Sequence, residues 1–425
     1  MKIPGWLVLS FVVSGITLLS ANRILDPWSY ASYIDVEQGR KAAEMGDLYS
    51  PWIGTRELLL HGRNPYSQEV SQQIQIAFYG HAITQTYDDS AKSLVNEQRF
   101  AYPIYVVFLL APAINADFAD VQLWGRYALA ILTAISVLLC LGILHWRVPA
   151  ITTVALILFI LSTPQLVQGL RYEQLALVVG FLLVAGAWCI QNNYLLTAGV
   201  LLAVSTIKPQ MSLMPICWLA IWTAGDWTKR WRIAAAFVAT LSGLITGGEL
   251  LLPGWITYFV AGLFAYRKYF PTPSLLTLVL GSTFGAVVAA IIFVALLCLA
   301  WRNRNAAASS REFNFILATF LIGAAIVFPL LVPFNQVLLI LPTMLLLQDW
   351  RSLSLFSHIV FVAIVGWPWI TDLALFVFLP RLHSPVEMPF LTSFMIAFLP
   401  PLLLVLNMAN RRNASRLPSR SMQPT

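Results

Sequence analysis

The chain has 425 residues, of which 59% are hydrophobic and only 11% charged, and its formal net charge is +7. Soluble globular domains carry about 25% charged residues. This deficit, with many apolar runs of membrane-spanning length, excludes an ordinary soluble domain and predicts an all-α polytopic membrane protein. The basic residues cluster in short loops and in the C-terminal tail, as is typical of cytoplasmic loops, so the charge does not indicate nucleic-acid binding.

The N-terminal part combines an apolar run with a long polar segment. Residues 5–21 are predicted to form the first membrane helix, and a cleaved signal peptide is the alternative because small residues end the run. Residues 22–100 follow as a polar loop rich in acidic residues. With the basic loops placed in the cytoplasm, the positive-inside rule puts this loop on the extracytoplasmic side.

The most structured part of this loop is the stretch 46–66. Ser50 is a favourable N-cap and Pro51 a favourable first helical residue, so a short helix is predicted from there to His61, with Gly62 as its left-handed end. Asp47 would then lie just ahead of a helix N-terminus, where an ionised carboxylate or a bound phosphate is stabilised. Residues 68–79 have apolar side chains at helical spacing and predict a second surface helix.

The rest of the chain is a series of apolar runs, which predicts about twelve membrane helices of about 20 residues each. The runs lie at 101–115, 121–144, 149–168, 174–190, 194–223, 233–252, 276–300, 313–331, 335–348, 352–370 and 391–408. Residues 1–408 are predicted to form one membrane domain, followed by a basic, disordered cytoplasmic tail at 409–425. The loops at 253–273, 332–336 and 371–390 are predicted to lie outside.

The topology of residues 101–223 has two interpretations. Either 101–115 crosses the membrane and 194–223 is one helix, or 101–115 does not cross and 194–223 is divided at Lys208. The second interpretation places Arg147 on the inner side and both Gln174 and Lys208 near the outer face, and we favour it.

Several polar residues in or beside the apolar runs are candidates for chemistry. Asp47 is positioned to accept a proton from a hydroxyl nucleophile; Asp26 and Asp35 are rivals, and a solvated loop acid is the alternative interpretation. Lys208 within an apolar run indicates a functional cation, unless its side chain reaches the membrane surface. Arg171 invites the same interpretation, although it could simply neutralise Glu173.

A second group of cations lies in the predicted outer loops. Arg267 and Lys268 form a basic pair that suits a lipid phosphate at the membrane surface, with ordinary interfacial anchoring as the alternative. Arg56 and Arg63 flank the first short helix and are further candidates for a phosphate. The cysteines and histidines show no ligand spacing, so we expect neither a metal site nor a cofactor.

Several motifs together resemble glycosyltransferase family 87, the bacterial polyprenyl-phosphate-mannose-dependent mannosyltransferases of the GT-C class. The first is Gly46-Asp47-Leu48-Tyr49 with Gly62-Arg63-Asn64-Pro65-Tyr66, which is similar to the family's first extracytoplasmic loop. The others are Phe100-Ala101-Tyr102-Pro103, Gly169 with Gln174, Ile207-Lys208-Pro209-Gln210, and Phe328-Pro329 with Pro333 to Pro342. Two departures are Ile104 in place of a second proline and the wide separation of Gly169 from Gln174.

The resemblance implies a fold, a reaction and a set of site residues. It implies a GT-C membrane enzyme of the bacterial inner membrane, with its active site on the extracytoplasmic face, that transfers a hexose from a polyprenyl phosphate to a hydroxyl of a lipid or glycan acceptor with inversion. Asp47 would be the general base, and cations would stabilise the departing lipid phosphate. The implied phosphate-binding residues are Lys208, Arg171, Arg267 and Lys268. The implied substrate-binding residues are Tyr66, Arg63, Tyr102, Gln174 and Gln210.

A different class of function fits the same residues. A membrane transporter or lipid flippase for a polyprenyl-linked or small anionic substrate would also place cations inside a helix bundle. Such proteins are typically built from inverted repeats with paired half-helices, and no internal repeat is visible in this sequence. The long one-sided loop at 22–100 favours chemistry on one side of the membrane.

Overall fold

The computed structural model describes residues 45–80, 82, 98–269, 274–330, 332–378 and 399–416. All regular structure in this part of the chain is helical, which confirms the all-α prediction. The helices are α1 Tyr49–His61, α2 Gln68–Tyr79, α3 Val106–Leu110, α4 Phe118–Ile143, α5 Ala150–Leu161, α6 Pro164–Arg171, α7 Leu175–Gln191, α8 Leu195–Val204, α9 Pro209–Gly225, α10 Trp227–Leu251, α11 Trp255–Tyr269, α12 Leu275–Leu280, α13 Ser282–Arg302, α14 Arg311–Val327, α15 Ile340–Gln348, α16 Leu355–Phe378 and α17 Leu399–Arg416. Short 3-10 helices lie at Ala111–Ala113, Ser205–Ile207, Pro333–Leu339 and Trp350–Ser352.

Three helices of the described part are long and apolar enough to cross a membrane: α4, α10 and α13. The pair α5 and α6, bent by 66° at the short break between them, makes a fourth if it is counted as one span. Shorter apolar helices, such as α7 and α8, fill much of the remaining chain. The count of about twelve spans stays a prediction, and the predicted first helix at 5–21 lies outside the described residues.

The interior of the bundle is built on α7 and α14. Every residue of α14 from Phe313 to Ile326 is buried, and α7 is buried along most of its length. In contrast, α10 and α13 expose most of their apolar surface. An α-helix that is hydrophobic on all sides is found either in a protein core or in contact with lipid. The helices α7 and α14 represent the first case, and α10 and α13 represent the second. The N-terminus of α7 brings Gln174 into the interior.

The first polar segment docks on the bundle through aromatic side chains. Tyr49 packs edge-on against Phe118 with 4.8 Å between ring centroids, and Trp52 lies 5.0 Å from the same ring. The indole Nε1 of Trp52 donates to the carbonyl of Ala113 at 2.9 Å. These contacts fix the start of α1 against the start of α4, and so they fix the turn that precedes α1.

The two predicted surface helices are present, with one correction. The second helix spans residues 68–79 as predicted; Ser67 caps it, and Val70 and Ile74 are fully buried. The first helix ends at Gly62 in the left-handed conformation, as predicted, but Ser50 is not its N-cap. The helix begins at Tyr49 because Gly46, at φ +52°, forms a turn that continues directly into it.

The later loops differ more from the sequence-based prediction. Residues 253–273 were expected to be an outer loop, yet most of them form α11, because the apolar stretch after Gly254 supports a helix. Residues 332–336 were also expected to be a loop, but residues 333–336 belong to the 3-10 helix Pro333–Leu339, whose side chains are all buried; the outer location of this segment stays a prediction. Both cases show that an apolar segment too short to cross a membrane can still pack as a helix.

The predicted ends of the last two helices were also wrong, because both helices extend further than expected. Residues 371–378, predicted as the start of a loop, continue α16, and α17 extends to Arg416, beyond the expected end at residue 408. Ala and Arg are good helix formers, so the basic composition of this segment does not end the helix. Residues 379–390 and 417–425 lie outside the described part.

Candidate functional site

Three non-helical breaks in the chain meet at one point of the bundle. The first is the turn at Gly46–Leu48 before α1, the second is Tyr172–Gln174 between α6 and α7, and the third is Lys208 between α8 and α9. The backbone N–H of Asp47 donates to the carbonyl of Tyr172 at 2.8 Å, which joins the first break to the second. Irregular backbone at membrane depth is tolerated only where protein or a water-filled cavity surrounds it, so such a junction is a candidate site.

A chain of hydrogen bonds connects the three breaks through their side chains. Nζ of Lys208 donates to Oε1 of Gln174 at 2.9 Å, and Nε2 of the same amide donates to the carboxylate of Asp47. Gln174 and Lys208 are both buried, and Asp47 is partly buried. The amide therefore presents its oxygen to the ammonium and its nitrogen to the carboxylate, as their charges require.

Pro209 explains why Lys208 is available at this point. A proline disfavours the helical conformation of the residue before it, and Lys208 accordingly has φ −125° and ψ 81°. The preceding 3-10 turn, Ser205–Ile207, ends α8. The run 194–223 is thus divided at Lys208, and α3 spans only Val106–Leu110; both observations agree with the interpretation favoured for residues 101–223.

Phe334 completes the surroundings of the buried cation. The Nζ atom of Lys208 lies 5.1 Å from the centroid of the Phe334 ring, within the range of a cation–π interaction. Such a contact is worth more in a desolvated site than at a surface. Lys208 thus has one amide oxygen and one aromatic face as ligands, and an ammonium with three N–H donors retains capacity for an anion.

Glu173 buttresses the turn that carries Asp47. Its side chain is fully buried, and its carboxylate accepts hydrogen bonds from Arg126 and Gln122 of α4. It also has φ +47°, because it occupies the left-handed position that ends α6, where glycine is usual. A non-glycine residue held in this region is a mark of functional or packing constraint.

Sequence reasoning missed this role of Glu173. Arg171 was considered as its partner, but the buried carboxylate pairs with Arg126 instead. The detectable signal was an arginine within the otherwise apolar helix α4, since a charge at such a place requires a partner. Arg171 lies at the end of α6, and its guanidinium is 5.7 Å from the ring centroid of Tyr172.

Gly46 is required by its conformation and by its neighbour. Its φ is +52°, and a Cβ atom at this position would fall on the Glu173 carboxylate. Gly80 is a matched control, since it has φ +78° but no atom within 4 Å of its Cβ position. Left-handed backbone costs an L-residue about 1–2 kcal/mol, and overpacking adds about 1–3 kcal/mol.

We therefore expect Gly46→Ala to lower the thermal unfolding midpoint of the purified protein clearly more than Gly80→Ala. Differential scanning fluorimetry in detergent measures both. Equal shifts for the two variants would show that the contact between Gly46 and Glu173 does not constrain the turn.

The remaining substrate-binding candidates have different roles in the structure. The hydroxyl of Tyr66 donates to the carbonyl of Tyr102 at 2.6 Å, so these two residues are brought together. Gln210 lies on the first turn of α9, two residues after Lys208. Arg63 is exposed and pairs with Glu57 at 3.0 Å and with Glu69 at 3.6 Å, which makes it a structural residue of the α1–α2 connection.

The structure leaves some of the predicted cations and acids outside the junction or outside the described residues. Arg56 lies over the ring of Trp52, 5.4 Å from its centroid, rather than beside Lys208. Arg267 and Lys268 belong to the last turn of α11, and their side chains lie outside the described part of the protein. The rival acids Asp26 and Asp35 also lie outside it.

The environment of Asp47 changes its acidity. Burial raises the pKa of Asp47 to about 6, and the positive charge of Lys208 opposes this rise. The interposed Gln174 amide prevents a direct ion pair, which would hold the pKa lower. A carboxylate with a pKa near 6 is largely ionised at neutral pH and more basic than an ordinary aspartate, as a general base should be.

This pKa gives an expected pH dependence. If ionised Asp47 is the base, kcat/KM for group transfer rises with pH and levels off above an apparent pKa near 6. Because Lys208 lowers the pKa of Asp47, the Lys208→Met variant is expected to move this rise to higher pH. A wild-type profile that is flat from pH 5 to pH 8 would contradict the role of Asp47.

Comparison of the chain with protein-family models, with curated proteins and with solved structures finds no match.

Proposed function

We propose that the protein is a membrane glycosyltransferase of the GT-C type, which moves a hexose from a polyprenyl-phosphate donor to a hydroxyl group of a lipid or glycan acceptor. The family resemblance suggests mannose as the hexose. The observation that carries the proposal is the chain Asp47–Gln174–Lys208, in which a base and a cation from distant segments are joined by one amide. Lys208 is the phosphate-binding cation that this geometry favours.

The reaction assigns a separate task to each end of this chain. The acceptor oxygen attacks C1 of the sugar, and its proton passes to the carboxylate of Asp47. The bond from C1 to the phosphate oxygen breaks, and its electron pair leaves with the lipid phosphate. The growing negative charge on the phosphate is stabilised by the ammonium of Lys208, whose effect is large because the site excludes water.

The position of the site within the bundle supports an extracytoplasmic active site. Lys208 precedes α9, and the other end of this 17-residue helix lies about 25 Å away. At that end Arg230 donates to the carbonyl of Arg304 at 2.9 Å, which joins the basic first turns of α10 to the basic loop after α13. Basic loops are typical of the cytoplasmic side, so the junction at Lys208 belongs near the opposite face.

A transporter is the second candidate, and one observation favours it. Two helix pairs, α5–α6 and α8–α9, are broken at polar residues, and broken helices form the substrate sites of many transporters. The buried Lys208 at the second break would then bind the anion that is carried.

Reconstitution in sealed liposomes separates the two functions. The protein is supplied with polyprenyl-phosphate mannose carrying a radiolabelled sugar, together with a lipid extract as acceptor. The proposal predicts label in a new product and the release of polyprenyl phosphate in equal amount. Movement of intact donor between leaflets, with no new product, would establish transport instead.

A further inference from the structure

A cluster of amide side chains lies beside the proposed phosphate site. Gln165 and Gln168 belong to α6, and Asn335 and Gln336 belong to the 3-10 helix Pro333–Leu339, which packs against α6. Gln165, Asn335 and Gln336 are each only 6% exposed. The proposed chemistry uses none of these four side chains.

The cluster holds hydrogen-bond acceptors that the described residues do not use. Nε2 of Gln165 donates to Oε1 of Gln336 at 3.3 Å, so Oε1 of Gln165 is directed elsewhere. This oxygen accepts no hydrogen bond from the described part of the chain, and the same holds for Oδ1 of Asn335 and Oε1 of Gln168. A buried acceptor left without a donor costs about 1–3 kcal/mol, so three together call for a ligand.

Phe334 connects this amide cluster to Lys208. It precedes Asn335 in the chain, and its ring lies beneath the ammonium of Lys208 at 5.1 Å. Gly169 brings α6 close to this point, since a Cβ on Gly169 would lie 3.2 Å from Cβ of Phe334. Gln165 is one helical turn away from Gly169, a rise of about 6 Å. A ligand anchored at Lys208 therefore has the amide cluster within reach.

The chemistry of the cluster selects the part of the ligand that it binds. Free amide oxygens carry lone pairs, so they repel the oxygens of a phosphate and attract the hydroxyl groups of a sugar. In a polyprenyl-phosphate sugar the first sugar ring is attached directly to the phosphate. With the phosphate bound by Lys208, the sugar ring would therefore lie beside the amide cluster.

We propose that Gln165, Asn335 and Gln336 form the subsite for the sugar ring of the donor, with Gln168 at its edge. This inference rests on the proposed function, because it assumes a donor phosphate at Lys208. It assigns specificity for the sugar to the pair α6 and Pro333–Leu339, whereas the lipid phosphate is bound by Lys208 on the α8–α9 break.

The test compares the binding of two probes in detergent: polyprenyl-phosphate mannose, and polyprenyl phosphate without the sugar. Gln165→Met and Asn335→Leu keep the size of each side chain and remove the amide. Each variant is expected to raise the Kd of the sugar-bearing probe about tenfold, the effect of one or two lost hydrogen bonds. The Kd of polyprenyl phosphate should stay within about twofold of the wild-type value.

Two controls keep the failure of this inference distinct from failure of the proposed function. Gln191→Met makes the same change at the far end of α7, where the amide bonds Asn314, and should alter neither Kd. Lys208→Met should weaken the binding of both probes. Equal effects of the amide variants on both probes, or no effect on either, would overturn the sugar subsite alone. Wild-type protein that binds neither probe would overturn the proposed function together with it.

Discussion

Replacing Asp47 by asparagine is expected to lower kcat for sugar transfer about 10²–10⁴-fold, which is the usual contribution of a general base. Asparagine has the same shape but does not take a proton from the acceptor hydroxyl. Because asparagine retains a side-chain oxygen, the variant is still able to accept the hydrogen bond from Gln174. Donor binding should therefore change much less than kcat. Steady-state transfer and a direct binding assay together measure this difference.

Asp120→Asn is the matched control for this experiment. Asp120 allows the same substitution on the first turn of α4, where its side chain is exposed. We expect wild-type kcat and unchanged thermal stability for this variant. If Asp47→Asn also transfers sugar at the wild-type rate while remaining folded, the base must be another acid, and Asp26 and Asp35 become the candidates.

Lys208→Met is expected to weaken donor binding at least about 30-fold. Removing one partner of a buried, hydrogen-bonded charge network costs about 2–5 kcal/mol, and the lower value corresponds to this change in Kd. Methionine fills a similar volume and remains compatible with the Phe334 ring. The loss should be seen with polyprenyl phosphate as well as with the full donor, since both carry the phosphate.

Lys229→Met provides the comparison, because the Lys229 side chain is 82% exposed near the start of α10. It should leave donor Kd, kcat and stability at wild-type values. An unchanged Kd and kcat in Lys208→Met would mean that Lys208 has only a structural role, as a cation that neutralises Asp47 through Gln174.

Local structure was predictable from the sequence where a short-range rule dominates. The helix at 68–79 follows from the spacing of Val70, Ile74 and Phe78, and Gly62 ends α1 because it tolerates a left-handed backbone. The division at Lys208 follows from Pro209. The N-cap at Ser50 was wrong because Gly46 forms a turn four residues earlier, and its conformation depends on the distant Glu173.

The arrangement of the site was less predictable, because it depends on contacts between remote segments. Asp47, Gln174 and Lys208 were each singled out, but nothing in the sequence indicates that Gln174 lies between the other two. The sequence likewise does not indicate that Glu173 pairs with Arg126, because the two residues are distant in the chain. Residues 332–336 were predicted to be an outer loop because they lie where the apolar runs 313–331 and 335–348 meet; only the packed bundle shows that residues 333–336 are buried and that Phe334 lies beside Lys208.

The stereochemistry of transfer tests the central claim most directly. One base and one direct displacement at C1 invert the anomeric centre, whereas retention requires a different course, such as two successive displacements through a nucleophile on the protein. The purified protein is given polyprenyl-phosphate mannose of known anomeric configuration, and the product is analysed by NMR. The account predicts a product of the opposite configuration, formed by wild-type protein and strongly reduced in Asp47→Asn. A product with the donor's configuration, or no transfer by the wild-type protein, would contradict it.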